Sequence, residues 1–288
     1  MKKLFIIFLL FTFLIYAKDC KIPESVKKFV VVSEAKHLKR YPDISRNYRN
    51  LNSLCVSMLK FKEANLGWRL FLVTNPNYNS GLFWFLPHDN ENSAFDSAVY
   101  AVKSYGGGFL AVSNKDRRYN RGQDPNRNFS YSPYKLKSCK EQKYASPIYT
   151  STIFSIIDYF KGANKPYLAL HNNTNGGGVS ILKESSKVKS YFAYPKSKIN
   201  SDTALKDEDN LIYMAGLTNK APSSINKILN SGINVKYERV NSINNDCSMS
   251  NFVLLEKGVD NYYNIEAQHH NTFIQKRMID ILLHNLYK

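Results

Sequence analysis

The sequence is poor in acidic residues and lacks the patterns that mark nucleic-acid binding. It has 23 Asp and Glu against 40 Lys and Arg, which gives a formal net charge of +17. The basic residues are scattered and mostly lysine, with no arginine-rich helix and no repeat of aromatic and basic residues. That pattern favours a solvated basic surface suited to acidic substrates, so we expect no nucleic-acid partner.

Cysteine is also scarce, and its spacing excludes one kind of metal site. The four cysteines are Cys20, Cys55, Cys139 and Cys247, and none belongs to a Cys-x-x-Cys pair. A zinc site built from thiolates is therefore not indicated. Outside the cytoplasm four cysteines can form two disulfides in three possible pairings, and buried free thiols are the alternative.

Long apolar runs are absent after the first 17 residues. The chain starts with Met1-Lys2-Lys3 and continues with an apolar run to the small residue Ala17. This pattern predicts a secretory signal peptide at residues 1–17. The run is shorter than the roughly 20 residues that span a bilayer, so we expect cleavage, no stable membrane anchor and a periplasmic or secreted protein. Lys18 and Asp19 do not suit a lipid-attached cysteine.

The rest of the chain suits one large domain at residues 66–288, preceded by an N-terminal extension at residues 18–65. Apolar runs typical of strands alternate there with helical patterns. The predicted strands are residues 68–74, 81–86, 109–112, 166–170, 235–240 and 262–265. The predicted helices are residues 93–104, 148–160, 225–229 and 272–286. This alternation predicts an α/β fold with a mixed, mostly parallel central sheet flanked by helices on both faces.

Two polar stretches interrupt the alternation. Residues 113–146 form one predicted loop, and residues 184–220 are expected to be an insertion of loops. A loop as long as the first is usually functional or disordered.

Two histidines and a glutamate follow predicted strands. His88 and Glu91 come directly after residues 81–86, and His171 follows residues 166–170. Ligands bind beyond the carboxyl ends of parallel strands, so we expect these side chains at one edge of the sheet. Imidazole and carboxylate bind zinc, and three protein ligands with an open fourth position are typical of catalytic zinc. Taken singly, His88 and Glu91 are also explained as polar loop residues. His171 alone is also explained as a hydrogen-bonded core or helix-cap histidine.

A further glutamate follows the last predicted strand. Glu266 comes directly after residues 262–265. A carboxylate beside a metal, without binding it, is placed to act as a general base. The alternative is a surface glutamate, although a charge next to a buried strand needs a partner.

The first polar loop carries several arginines. Asn126 and Arg127 lie in it, and Arg117, Arg118 and Arg121 lie just upstream. The planar guanidinium group matches a carboxylate at two points, and a second arginine is suited to stabilising the oxyanion of a tetrahedral intermediate. The alternative is a solvated loop held by contacts between aspartate and arginine.

The order His-x-x-Glu, Asn-Arg, His and Glu resembles the zinc carboxypeptidase superfamily, over roughly residues 66–288. That superfamily includes carboxypeptidase A-like peptidases and the aspartoacylase/succinylglutamate desuccinylase branch. The resemblance implies one zinc ion per chain, held by His88, Glu91 and His171. It also implies that Glu266 is the general base.

The same resemblance assigns roles to the loop residues. Asn126 and Arg127 match the pair that binds the substrate carboxylate. A separate upstream arginine polarises the scissile carbonyl; Arg118 is the best match, with Arg117 and Arg121 competing for the role.

The sequence departs from the peptidase branch in ways that concern the substrate. Glu91 and His171 are 80 residues apart, a separation closer to that of the acylase branch. The tyrosine that caps the substrate has no motif here, and Tyr237, Tyr262 and Tyr263 are candidates by position only. We expect hydrolysis of an amide bond near a free carboxylate, in peptides such as those of peptidoglycan. The alternatives are deacylation of an N-acyl amino acid and a binding protein without turnover.

Overall fold

A computed structural model describes residues 18–193 and 203–287. The predicted signal peptide lies outside these residues. No helix within the two ranges combines the length and the apolar character needed to cross a bilayer.

Ten strands form a single sheet in the order β1-β2-β3-β5-β4-β6-β10-β8-β9-β7. Their bounds are β1 (Val30–Val32), β2 (Cys55–Glu63), β3 (Leu66–Thr74), β4 (Phe83–Leu86), β5 (Gly108–Val112), β6 (Tyr167–Asn173), β7 (Val188–Tyr191), β8 (Leu211–Gly216), β9 (Asn234–Arg239) and β10 (Tyr262–Gln268). The α-helices are α1 (Pro42–Leu51), α2 (Asn92–Tyr105), α3 (Pro147–Phe160), α4 (Ile225–Asn230), α5 (Met249–Leu255) and α6 (Thr272–Tyr287). The predicted α/β fold with helices on both faces of a mixed sheet is confirmed. The sheet was expected to be mostly parallel, but five of its nine strand pairings are antiparallel and four are parallel.

The parallel pairings lie in the middle of the sheet. Strand β4 runs parallel to β5 and β6, and β6 runs parallel to β10. We call β5, β4, β6 and β10 the parallel centre. The ribbon formed by β2 and β3 is antiparallel over nine residue pairs and joins the centre through an antiparallel pairing of β3 with β5. Strand β8 pairs antiparallel with β10 and parallel with β9.

Helices cover both faces of the sheet and create two hydrophobic cores. Side chains of α1, α2, α4 and α6 pack on one face, and those of α3 and α5 pack on the other. Helix α2 shows why the sequence predicts this: Phe95, Ala98, Val99 and Val102 share one face at helical spacing, and all are buried. Burying such a stripe is the main source of stability for a helix of this length.

Glycines end α2 and start β5 where the chain passes close to its neighbours. Gly106 and Gly107 both have φ near +75°, at 75° and 74°. A β-carbon on Gly107 would lie 1.9 Å from the carbonyl oxygen of Leu82. Only glycine fits this position without a steric clash, so β5 can enter the sheet directly beside β4.

The structure differs from the sequence-based prediction in two stretches. Residues 184–220 were expected to be loops, and this was wrong, because β7 and β8 lie there and extend the sheet. Residues 18–65, predicted as an extension, contribute β1, β2 and α1. The apolar residues of these elements are short runs flanked by lysine and arginine, which hides their periodicity.

Two disulfides fasten loops to this framework. Cys20 is bonded to Cys55 at the start of β2, and Cys139 is bonded to Cys247 just before α5. The second disulfide ties the long loop between β5 and α3 to the segment that leads into α5.

Candidate active site

His88 and Glu91 lie in the short connection between β4 and α2. The side chains of β4 are completely buried, and both residues of the connection are buried as well. Glu91 is the residue directly before α2, where the positive end of the helix dipole favours a carboxylate. Its Oε1 lies 2.8 Å from Nδ1 of His88, so the two side chains converge on one point.

His171 and Glu266 lie side by side on parallel strands. Strand β6 continues to Asn173, so His171 is inside the strand rather than after it, and its register partner on β10 is Glu266. Register partners on neighbouring strands point to the same face of a sheet. The pairing therefore brings Glu266 to the side on which His171 meets Glu91.

The three predicted ligands form a compact group. Nδ1 of His171 lies 3.2 Å from Nδ1 of His88 and 3.2 Å from Oε2 of Glu91. The three ligand atoms are all within 4.8 Å of one another. Two nitrogens bound to one zinc ion at about 2.0–2.1 Å and a tetrahedral angle are roughly 3.3 Å apart. The donor types and spacing therefore fit a metal ion held by His88, Glu91 and His171.

Asp124 supports the first histidine from behind. Its Oδ1 lies 2.9 Å from Nε2 of His88, the ring nitrogen that faces away from His171. A carboxylate at the second ring nitrogen orients a metal-binding histidine and makes it a stronger ligand. Asp124 had no predicted role. Its position two residues before Asn126, in Asp-Pro-Asn-Arg, is the signal that could have found it.

Backbone contacts and an amide network hold the other ligands. The backbone N–H of Asn172 donates to Oε2 of Glu91 at 3.0 Å. The side chain of Gln275 donates to the carbonyl oxygen of His171 at 2.8 Å and accepts from the side chain of Asn172 at 3.0 Å. Asn172 and Gln275 were also missed, because nothing in the sequence shows that α6 reaches β6. Nε2 of His171 is buried without a hydrogen-bond partner among the described residues.

The electrostatics of the group favour a charged cluster. Burial alone would raise the pKa of Glu91, but His88 and His171 outweigh it and hold that pKa well below the usual range. Burial also opposes the ionisation of Asp124, whose pKa is lowered by His88 and Arg118. Burial would lower the pKa of His88, but Glu91 and Asp124 raise it above its usual value. The carboxylates are thus held in the anionic form that binds a cation.

Glu266 has the opposite shift. Burial raises its pKa, the neighbouring Glu91 adds to this, and His171 opposes it. Its Oε1 accepts a hydrogen bond of 2.9 Å from the side chain of Asn264, two residues earlier on the same face of β10. A raised pKa is the property of a carboxylate that exchanges a proton near neutral pH.

Of the three candidate arginines, Arg118 reaches the ligand group. It donates to Oε1 of Glu91 at 3.3 Å and to Oδ2 of Asp124 at 3.1 and 3.2 Å. Arg121 instead donates to the backbone carbonyl of Asn65, and Arg117 is exposed beside a groove on the other side of the loop.

Asn126 and Arg127 lie on the same loop, farther from the ligands. Oδ1 of Asn126 accepts from the backbone N–H of Met249, and Nε of Arg127 lies 3.3 Å from Oδ2 of Asp246. Asp246 precedes Cys247, which is bonded to Cys139. The disulfide therefore fixes the segment that positions Arg127, and the guanidinium group is already partly neutralised.

The three tyrosine candidates are all buried. Tyr237 and Tyr263 belong to the hydrophobic core on the α2 and α6 face, and the hydroxyl of Tyr237 donates to the carbonyl of Thr218. Tyr262 packs in the other core. Charges of Glu266 and Arg127 act on the hydroxyl group of Tyr262. The hydroxyl group of Tyr237, in contrast, is already bonded, so position in the sequence alone does not identify a capping tyrosine.

Comparison with known proteins gives no family assignment. No family model and no curated protein matches the sequence. A solved structure described as a "putative metallopeptidase" from Shewanella amazonensis SB2B shares 12% identity at a TM-score of 0.45, over 89% of this chain and 96% of that chain. A second, from Shewanella denitrificans OS217, shares 10% identity at a TM-score of 0.45, over 89% and 94%. A third, from Shewanella baltica OS155, shares 10% identity at a TM-score of 0.42, over 88% and 92%. Similarity this low carries no functional conclusion, and the site rests on its own geometry.

Proposed function

We propose that this protein is an exported, zinc-dependent hydrolase of the carboxypeptidase type that cleaves an amide bond close to a free carboxylate. The observation that supports this most directly is the convergence of Nδ1 of His88, Nδ1 of His171 and the carboxylate of Glu91 within 4.8 Å. Asp124 behind one ligand and Glu266 beside another complete a set suited to hydrolysis rather than to a structural metal.

Zinc is the proposed metal because two imidazoles and one carboxylate leave a position open for water or substrate. When bound, it would increase the acidity of water and polarise a carbonyl group. His88, Glu91 and His171 would hold it, and Asp124 would fix the ring of His88 through Nε2. A buried, anionic Glu91 contributes the charge that offsets part of the cation.

Glu266 is the proposed general base. It would accept a proton from the attacking water and later deliver one to the leaving amine. Its pKa is raised by burial, which brings proton uptake and release closer to neutral pH. The hydrogen bond from Asn264 holds one carboxylate oxygen and fixes the direction of the other.

Two arginines would bind the charges of substrate and transition state. Arg118, whose guanidinium group touches Glu91 and Asp124, is placed to stabilise the developing oxyanion. Arg127 and Asn126 would bind the free carboxylate of the substrate. Because Nε of Arg127 faces Asp246, the substrate carboxylate would bind through the outer nitrogens of the guanidinium group.

The proposed substrate is a peptide outside the cytoplasm, with cell-wall peptides as the first class to examine. This follows from the signal-peptide pattern of residues 1–17 and not from the site. A second candidate reaction is deacylation of an N-acyl amino acid, which the 80-residue separation of Glu91 and His171 favours. A protein that binds these ligands without turnover is the alternative from another class.

Metal content and turnover test the proposal together. Purified protein is expected to carry about one zinc ion per chain by mass spectrometry of metals, and His88→Ala or His171→Ala should remove it. Glu266→Gln should keep the zinc and lose hydrolysis of wall-derived peptides by several orders of magnitude.

The matched control is Glu256→Gln, which changes an acidic residue at the end of α5 rather than one at the site. Full zinc content in both histidine variants would show that the ligands are misassigned. Zinc binding without turnover of any peptide or N-acyl amino acid would leave the binding protein as the better description.

A further inference from the structure

A groove rich in positive charge runs along the antiparallel ribbon beside the active site. Two adjoining cavities of about 500 and 650 Å³ form it, and they share Lys60, Arg69, Ser113 and Lys115. Its cationic residues come from the segment before α1, from β2 and β3, and from the loop after β5. They are Arg40, Lys60, Lys62, Arg69, Lys115, Arg117 and Arg121. We call this the cationic groove.

The positive charge of the groove is only partly offset within the protein, by Asp89, which interacts electrostatically with Arg69. None of its seven cationic groups has a carboxylate oxygen within 4.0 Å in the part of the chain that the structure describes. The groove also contains three aspartates. Asp43 is paired with Arg46, which is not in the groove, and Asp89 accepts two backbone N–H groups, from Asn114 and Asp116. Only Asp116 among the three is exposed.

Two of the cations face each other across the ribbon. Lys60 on β2 is the register partner of Arg69 on β3, and like charges directly opposite on an antiparallel pair are destabilising. Nε of Arg69 is also buried without a hydrogen-bond partner among the described residues. Arg40 and Arg69 both lie against the ring of Tyr41. An anion bound in the groove would reduce the repulsion between Lys60 and Arg69 and give Nε of Arg69 a hydrogen-bond acceptor.

The spacing of the lysines matches an extended chain. Lys60 and Lys62 are two residues apart on β2 and both are exposed. Alternate residues of a strand are about 6.8 Å apart, which is also the spacing of side chains on one face of an extended peptide. Gly67, the register partner of Lys62, has open space where a side chain would be, so the floor of the groove is clear.

The groove meets the active site through a shared loop. Arg117 and Tyr119 line the groove, and Arg118 between them contacts Glu91 and Asp124. Asp89, which closes the groove on the other side, lies between His88 and Glu91 in sequence. A ligand in the groove and a substrate at the metal ligands would thus contact opposite sides of the same two segments.

We propose that the cationic groove binds an acidic peptide segment. That this segment belongs to the substrate rests on the proposed hydrolase function, whereas the binding itself does not. A peptide fits better than single-stranded nucleic acid because nucleic-acid grooves offer several aromatic platforms for stacking bases. Among the groove residues, Tyr119 is the one large aromatic side chain with about half of its surface exposed.

Fluorescence anisotropy with a labelled hexaglutamate peptide tests this on the full mature chain. At about 25 mM salt, where screening is weak, wild type should bind and Lys60→Gln/Lys62→Gln should bind about tenfold more weakly. The control Lys189→Gln/Lys227→Gln removes the same charge from exposed positions on β7 and α4 and should bind within about twofold of wild type. A hexaglutamine peptide should not bind.

Equal affinity of wild type and the Lys60/Lys62 variant would overturn the proposal, as would tighter binding of a twelve-residue oligothymidylate than of hexaglutamate. The measurement is repeated with the metal removed by a chelator. Binding that persists there supports the groove even if the protein hydrolyses nothing, so the two proposals fail separately. If both hold, the variant should raise KM for acidic peptides and leave KM for neutral ones unchanged.

Discussion

The parallel centre of the sheet and the antiparallel ribbon beside it arrange polar side chains in different ways. In the centre, His171 and Glu266 are register partners on parallel strands, and the chain leaving β4 brings His88 and Glu91 to the same point. In the ribbon, Lys60 and Lys62 follow one another along a strand and point to solvent. The carboxyl ends of parallel strands lie at one edge of the sheet, so polar side chains there come together in one site. Along an antiparallel ribbon, exposed side chains are instead distributed over a surface.

The two regions also differ in how charge is balanced. The charged groups around His88 have opposite partners: His88 lies between Glu91 and Asp124, and Arg118 bridges the same two carboxylates. In the ribbon, Lys60 and Lys62 are exposed and form no ion pair with any of the described residues. Buried charges must be paired, so the charged side chains of the centre are restricted to one arrangement. The exposed lysines of the ribbon remain available to bind an external anion.

Removing a disulfide is the change with the largest expected effect on the free energy of unfolding. Cys139–Cys247 spans 108 residues and Cys20–Cys55 spans 35. Chain entropy predicts losses in the free energy of unfolding of about 5 and about 4 kcal/mol when each pair is replaced by serine. Only the Cys139→Ser/Cys247→Ser variant should also raise KM, because it frees the segment that holds Arg127.

Urea unfolding and steady-state kinetics with wall-derived peptides measure both variants, with wild type carrying both disulfides as the reference. An equal rise of KM in the Cys20→Ser/Cys55→Ser variant would mean that the disulfides act on the fold in general and not on the site.

Substitution of Asp124 has the next largest expected effect, which is on metal affinity at the centre alone. Asp124→Asn should weaken zinc binding by about 10- to 100-fold, because Nε2 of His88 loses its anionic partner. Competition with a chromogenic chelator at neutral pH measures the affinity. Asp116→Asn changes an exposed aspartate of the ribbon side and serves as control. Unchanged affinity in Asp124→Asn would show that the contact does not tune the metal ligand.

The smallest expected effect is a change in stability caused by a substitution in the ribbon. Lys60→Thr removes one of two opposed cations and should raise the free energy of unfolding by about 0.5 kcal/mol relative to Lys189→Thr. Both changes place the same residue type on an exposed strand position, which reduces the contribution of β-propensity to the difference. Urea unfolding at low and high salt measures the difference, which should shrink as salt screens the repulsion. A lower stability of Lys60→Thr would remove one of the reasons for assigning the groove to an anion.

The long loop between β5 and α3 shows which features of the site can be predicted from sequence and which cannot. Its length and its arginines suggest a functional role, and the resemblance singles out Arg118. The sequence does not show that Asp124 on this loop lies 2.9 Å from His88, 36 residues earlier. Such contacts depend on how the loop crosses the sheet edge, and local periodicity contains no information about that.

The sequence by itself determined the alternation of strands and helices between residues 66 and 173, because buried runs and amphipathic stripes are local patterns. It also indicated that His88, Glu91, His171 and Glu266 lie near the carboxyl ends of strands, although His171 and Glu266 are inside β6 and β10 rather than after them. Tertiary structure alone decided the register of Glu266 with His171, the pairing of the cysteines and the gathering of scattered lysines and arginines into one groove. These depend on contacts between residues far apart in the chain, which form only when the whole sheet does.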